Sequence, residues 1–132
     1  MRLSTWIVLA FLVSGTATAR AGDWPTYRAD AARSGYTSEA IPNQLRERWV
    51  FHPGAAPRRA WVGSERIEYD LAFQPILVGD TVLFGSSADD TVYALDATTG
   101  LIRWRFHTEG PVRFAPVAAD GRVFLALSLI HI

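Results

Sequence analysis

The sequence predicts an all-β fold built from short antiparallel strands, and three observations support this prediction. From residue 72 onward, short β-branched or aromatic runs alternate with turn residues, and no stretch keeps a helical period. Parts of this region correspond to each other at a spacing of 41 residues. A repeat of about 40 residues with four strands is one blade of a β-propeller. We therefore expect a β-propeller of four-stranded antiparallel blades, with about one and a half blades and a closing strand in this chain.

The first blade is predicted at residues 71–107. Gly79 and Asp80 form a two-residue turn between its first two strands, with glycine where a positive φ is needed for a tight hairpin. The second and third strands are joined through residues 88–90. The four predicted strands are residues 72–78, 81–87, 91–96 and 101–107.

The second blade is predicted to begin at residues 108–126, because the pattern of the first blade starts again there. Residues 73–76 (FQPI) correspond to residues 114–117 (FAPV). In this second copy Asp120 and Gly121 take the place of the first hairpin turn.

A second correspondence runs toward the N-terminus. Residues 48–52 (RWVFH) match residues 103–107 (RWRFH) at four of five positions. We therefore interpret residues 45–52 as an outer strand that completes the last blade of a propeller, which closes the ring and removes a free sheet edge.

The first 21 residues are predicted to be a secretory signal peptide. Arg2 precedes an apolar run at residues 6–13, and small residues follow, with Ala21 as the favoured last residue before cleavage. The alternative is a membrane anchor, but the apolar run is far shorter than the roughly 20 residues of a spanning helix. We expect an exported protein, periplasmic or extracellular, without an integral membrane span.

The scattered positive charges and the absence of cysteine exclude several classes of protein. All thirteen cationic residues are arginines, scattered along the chain, so no basic patch predicts binding to nucleic acid. The chain contains no cysteine, which excludes disulfides and a lipoprotein anchor.

An aspartate, a glycine and a tryptophan occur at fixed distances in the stretch YALDATTGLIRWRF. Asp96 ends the third strand, where its side chain can accept hydrogen bonds from the turn amides. Gly100 supplies a left-handed conformation before the fourth strand. Trp104 lies on that outer strand, where it can pack against a neighbouring blade. All three residues are therefore predicted to have structural roles in the blade.

These residues resemble a known repeat. Five of them fit the pattern A-x-D-x-x-T-G-x-x-x-W, the tryptophan-docking motif of the pyrroloquinoline-quinone (PQQ) enzyme repeat, which occurs in quinoprotein alcohol dehydrogenases and in many non-catalytic propellers. The resemblance implies a quinoprotein-like propeller in which the motif packs neighbouring blades and does not touch cofactor or substrate. The five residues are Ala94, Asp96, Thr99, Gly100 and Trp104.

Residues 22–44 form a lead-in segment. Within it, residues 23–36 (DWPTYRADAARSGY) resemble the lead-in of exported propellers of this type. We interpret it as a capping segment whose Trp24 and Tyr27 pack on the propeller, with ligand contact as the alternative.

For a dehydrogenase, the resemblance implies a calcium or lanthanide ion, an aspartate base, an arginine near the quinone and an aromatic floor. The family places these groups in later blades, so no catalytic, cofactor-binding or metal residue is assigned here. Asp89 and Asp90 are interpreted as solvated turn acids, with calcium ligation as the alternative. His52 and His107 are interpreted as repeated blade residues, with a role as ligands or bases as the alternative.

A candidate ligand site lies in residues 53–70, an inserted loop about fourteen residues longer than its repeat equivalent. Its Arg58, Arg59 and Trp61 are candidates for contacting an anionic or aromatic ligand. The interpretation that we favour is a surface loop folded onto the propeller by Trp61 and Tyr69, with ligand contact as the alternative.

Residues 127–132 break the repeat, since apolar residues stand where polar turn residues are expected. Our hypothesis is that the gene product continues and that these six residues are non-native. We expect a non-catalytic scaffold or binding module of the cell envelope, with envelope proteins or a small ligand as partners. The alternative is a dehydrogenase of alcohols or sugars that uses PQQ with calcium and has its active site beyond Ile132.

Overall fold

A computed structural model describes residues 22–56 and 72–127 of the chain. The predicted signal peptide, residues 128–132 and the candidate ligand residues Arg58, Arg59 and Trp61 lie outside this part. Strands and no helices are found in it. Within the same residues, no helix is long and apolar enough to cross a membrane.

The first blade is a four-stranded antiparallel sheet with the strand order β1-β2-β3-β4. This meander confirms the predicted blade. Gly79 has a φ of +59° in the β1–β2 turn, the left-handed conformation that this turn needs. The strands are β1 (Ile76–Val78), β2 (Thr81–Ser86), β3 (Thr91–Asp96) and β4 (Ile102–His107).

Strand β1 begins at Ile76, four residues later than predicted. Pro75 directly precedes it and has no N–H to donate to a sheet ladder, so the backbone before it leaves the sheet. The neighbouring Gln74 instead uses its side chain, whose Oε1 accepts the backbone N–H of Ala115 at 3.1 Å. The start of the first blade is thereby tied to the start of the second.

A two-stranded antiparallel sheet follows, formed by β5 (Val117–Ala119) and β6 (Arg122–Phe124). Asp120 and Gly121 join them with φ angles of +50° and +70°. Positive φ at both central residues is the geometry that an Asp-Gly hairpin turn favours. This hairpin confirms that the strand pattern starts again after the first blade.

The first sheet is covered on the face toward this hairpin. Ile76, Leu83 and Ala94 are buried there and pack against Ala118 and Val123 of the second sheet. Because side chains alternate along a strand, the other face has to be covered by a different segment.

The opposite face is covered by the segment that precedes the blade. Phe51 lies 5.5 Å from Phe84 and 5.4 Å from Tyr93 between ring centroids, and these two rings stack on each other at 5.3 Å. Residues 45–52 pair with no strand in the described part of the chain, so their predicted ring-closing role stays a prediction. The sheet therefore has a layer on each face, as a blade in a propeller has.

The lead-in attaches along the free edge of β1 through residues 23–25, which we call the strap. Trp24 exchanges two backbone hydrogen bonds with Leu77, at 2.7 and 3.0 Å. Pro25 accepts the N–H of Ala118 at 2.8 Å, and the Asp23 carboxylate accepts the N–H of Gly79 at 2.7 Å. The strap joins the first strands of both sheets and covers an edge that would otherwise stay unpaired.

Candidate functional site

The turn between β3 and β4 is organised by Asp96. Its Oδ1 accepts the backbone N–H groups of Thr98 and Thr99, both at 2.9 Å, and the Thr99 hydroxyl at 3.1 Å. Gly100 follows with a φ of +72°, and its N–H donates to the Asp96 carbonyl at 2.8 Å. The aspartate therefore satisfies the donors of the turn, while the glycine provides the left-handed backbone.

The same turn receives the indole of Trp49. Its Nε1–H donates to the carbonyl of Ala97 at 3.0 Å. A methyl group added at Gly100 would meet Trp49 Cδ2 at 2.6 Å and Cε3 at 2.7 Å. No residue with a side chain fits between the indole and this backbone, so glycine is needed here for space as well as for conformation.

Trp104 corresponds to Trp49 in the repeat but lies in a different environment. It pairs with Ala94 in the sheet register and remains 43% exposed. Its ring borders a recess that Val123 and Leu125 line on the other side. The docking role of Trp104 stays a prediction.

Arg103 connects two turns at one end of the blade. It is the extra residue of a β-bulge in β4, and a bulge redirects a side chain from its regular position. Its guanidinium donates to both carboxylate oxygens of Asp80, at 2.9 and 2.8 Å, and to Asp96 Oδ2 at 2.6 Å. These hydrogen bonds lower the pKa of both aspartates and raise that of the arginine. The motif did not predict Arg103, although Arg48 and Arg103 occupy equivalent places in the repeat.

We expect that replacement of Arg103 by methionine weakens the dependence of the free energy of unfolding on pH in the acidic range. The folded-state pKa of Asp96 and of Asp80 lies below the ordinary value of 3.8, so their contribution is present above that pH and is lost as the pH falls below it. Urea unfolding between pH 6 and pH 2 should show a shallower decline for Arg103→Met than for the unchanged protein. Arg122→Met is the control, and a parallel decline in all three proteins would contradict the role of Arg103.

At the other end of the blade, the side chain of Asp89 and the main chain of Asp90 are both engaged by neighbours. The Tyr93 hydroxyl donates to Asp89 Oδ2, and burial together with this carboxylate raises the pKa of Tyr93. The carbonyl of Asp90 accepts both the N–H and the hydroxyl of Thr108, at 2.7 and 2.8 Å. Among the described residues, no three His, Asp or Glu side chains come together in a way that could hold a metal ion.

His107 is positioned by a buried threonine. The Thr91 hydroxyl donates to the carbonyl of Asp89 at 2.7 Å, and His107 Nδ1 lies 2.8 Å from the same hydroxyl. Since the hydroxyl has already donated its hydrogen, Nδ1 carries the proton that completes the second bond. His52, the repeat equivalent of His107, is exposed.

An open recess lies where the lead-in passes the beginning of β5. Arg33, Tyr27 and the side chain of Gln74 give it polar groups, and the Arg33 guanidinium carbon lies 5.8 Å from the centre of the Tyr27 ring. Phe114, which is 60% exposed, forms an apolar wall. A recess with arginine, amide and aromatic groups can take a small polar or anionic ligand.

Comparison with known proteins gives a match at the level of the family. Residues 24–122, three quarters of the chain, match the family model PQQ, described as "Glucose/ethanol/alcohol dehydrogenase, beta-propeller domain". No curated protein and no solved structure gave a match.

Proposed function

The chain belongs to the PQQ family of β-propeller domains, and on this premise we propose that it is part of an exported propeller that serves as a non-catalytic scaffold or binding module in the cell envelope. The predicted signal peptide at residues 1–21 supports export. The partners that fit this proposal are envelope proteins or a small ligand bound at the rim of the propeller.

One observation carries the non-catalytic proposal. Several polar side chains hold the blade together: Arg103 binds the carboxylates of the two turns, Tyr93 binds Asp89, and Thr91 binds His107. A general base has to present a free acceptor to its substrate, whereas the Asp80 and Asp96 carboxylates accept hydrogen bonds from Arg103.

Two places on the chain support a binding role. The recess beside Arg33 and Phe114 is open and combines cationic, amide and aromatic groups. The inserted loop contributes the candidates Arg58, Arg59 and Trp61, which lie outside the described residues. Both sets of side chains would favour an anionic or aromatic ligand over an apolar one.

The alternative function is PQQ-dependent oxidation of an alcohol or a sugar, and it is favoured by the description of the matching family model. The described residues do not fit the cofactor. Calcium takes six to eight oxygen ligands, whereas no three His, Asp or Glu side chains come together among the described residues, and Asp89 Oδ2 accepts the Tyr93 hydroxyl. Under this alternative, PQQ and calcium would be held by residues outside the described blade.

Reconstitution tests the proposal. The full-length product of the native gene is purified and titrated with PQQ and calcium, binding is followed by equilibrium dialysis, and dye-linked oxidation of alcohols and sugars is measured. We expect no PQQ retention and no turnover, and the variants Asp89→Asn and Asp90→Asn should behave like the unchanged protein. Calcium-dependent turnover would establish the dehydrogenase alternative instead.

A further inference from the structure

The first described residue is held by an acidic side chain. The backbone nitrogen of Gly22 donates to Glu39 Oε1, and a methyl group added at Gly22 would meet that oxygen at 2.7 Å. The hydroxyl of Thr37 accepts the N–H of Glu39 at 3.2 Å and so helps to fix the backbone from which this carboxylate extends. Gly22 is also the residue that follows the favoured cleavage position of the signal peptide.

The position of Gly22 is set by the strap that follows it. Asp23, Trp24 and Pro25 make four hydrogen bonds to β1, its turn and β5. Three consecutive anchored residues leave the preceding nitrogen little freedom, so the contact with Glu39 depends on the docked strap.

Building on the proposed export, we propose that Gly22 is the first residue of the mature protein and that Glu39 binds its α-ammonium group. Hydrolysis of the Ala21–Gly22 bond consumes one water, leaves a carboxylate on Ala21 and frees the Gly22 nitrogen as an amine that takes up a proton. The amide contact then becomes an ion pair, and charge-assisted hydrogen bonds are stronger than neutral ones. Removal of the signal peptide thus strengthens the docking of the strap on β1.

The composition of the chain makes this inference directly measurable. No lysine occurs in residues 1–132, so the α-amino group is the only primary amine of a chain that spans residues 22–132. An amine-reactive ester acts on the unprotonated, accessible amine and therefore reports on the N-terminus alone. A bound ammonium group should react more slowly than a free one.

The test compares labelling rates at neutral pH in chains that begin at Gly22. We expect Glu39→Gln to label about two- to fivefold faster than the unchanged chain, the range that an exposed ion pair supports. Glu47→Gln removes the same charge from another exposed position and should leave the rate unchanged. In a chain that keeps Ala21 before Gly22, Glu39→Gln should have no effect, because the amine has moved away. Equal rates for Glu39→Gln and the unchanged chain would overturn the proposal.

The mass of the exported protein shows where its chain begins. It therefore distinguishes an error in the Glu39 pairing from an error in the proposed export. We expect a mature chain that starts at Gly22. Cleavage at another position would refute the Glu39 pairing and leave export standing. An unprocessed chain retained inside the cell would refute the export on which the pairing rests.

Discussion

Replacement of Trp49 by alanine should lower the free energy of unfolding by about 3 kcal/mol, the lower end of the range for truncation of a packed tryptophan. The ring is half-buried against Phe84, Tyr93 and Leu95, and its Nε1–H holds the β3–β4 turn through the carbonyl of Ala97. Its loss opens part of the layer that covers this face of the blade, while Phe51 and Phe73 remain in place. Urea unfolding followed by circular dichroism measures the change without relying on tryptophan emission.

Trp104→Ala is the matched control because both tryptophans occupy the same place in the repeated sequence. Trp104 is 43% exposed and has no corresponding hydrogen bond among the described residues, so we expect a loss of about 1 kcal/mol or less. Equal destabilisation by the two substitutions would show that Trp49 has no special role. Trp49→Phe should fall between them, since it keeps part of the packing and loses the hydrogen bond.

Replacement of Gly100 by alanine should lower the free energy of unfolding by about 3 kcal/mol. A left-handed backbone disfavours any residue with a Cβ atom by about 1–2 kcal/mol, and forcing a methyl group against a packed ring adds about 1–3 kcal/mol. At Gly100 both effects apply, because φ is +72° and the methyl group would meet Trp49 Cδ2 at 2.6 Å. Urea unfolding of the Gly100→Ala protein measures the combined loss from the backbone conformation and from the clash with Trp49.

Gly79→Ala separates the two effects. Gly79 also has a positive φ, +59°, but no atom lies within 4 Å of an added methyl group. We therefore expect only the backbone effect there, about 1–2 kcal/mol. In addition, Gly100→Ala should destabilise a Trp49→Ala protein less than it destabilises the unchanged one, because the clash has been removed. Additive losses would contradict a direct contact between the two residues.

The sequence was sufficient to predict the four-stranded blade, the hairpin turn at Gly79 and the renewed strand pattern at β5 and β6. Each of these depends on local signals, namely alternation of side chains and turn residues of known conformation. The beginning of β1 was placed too early, because alternation continues through residues 72–75 while Pro75 removes a donor from the ladder.

Contacts between segments distant in the sequence could not be predicted. Nothing local indicates that Arg103 reaches Asp80, since the bulge that redirects it arises only when β3 and β4 pair. The partners of the strap are likewise set by the packing of two sheets. The repeat placed Trp49 at the position of Trp104, but it did not indicate the turn that Trp49 contacts.

In the described blade, the turns, the charged cluster of Arg103, Asp80 and Asp96, and the aromatic layer all hold strands in place. A propeller module with such blades can present ligands or partners at its rims without reacting with them, which is the function proposed above. The oxidation of alcohols or sugars stays the alternative that the PQQ titration addresses.

The segment before the blade docks on it through Trp49, and nuclear magnetic resonance of the indole rings tests this contact most directly. We expect the Nε1–H of Trp49, which donates to the Ala97 carbonyl, to exchange slowly with solvent, while the Nε1–H of Trp104 exchanges fast. The ring proton on Trp49 Cε3 should show nuclear Overhauser contacts to the α protons of Gly100. Rapid exchange at Trp49 without any contact to Gly100 would contradict the account.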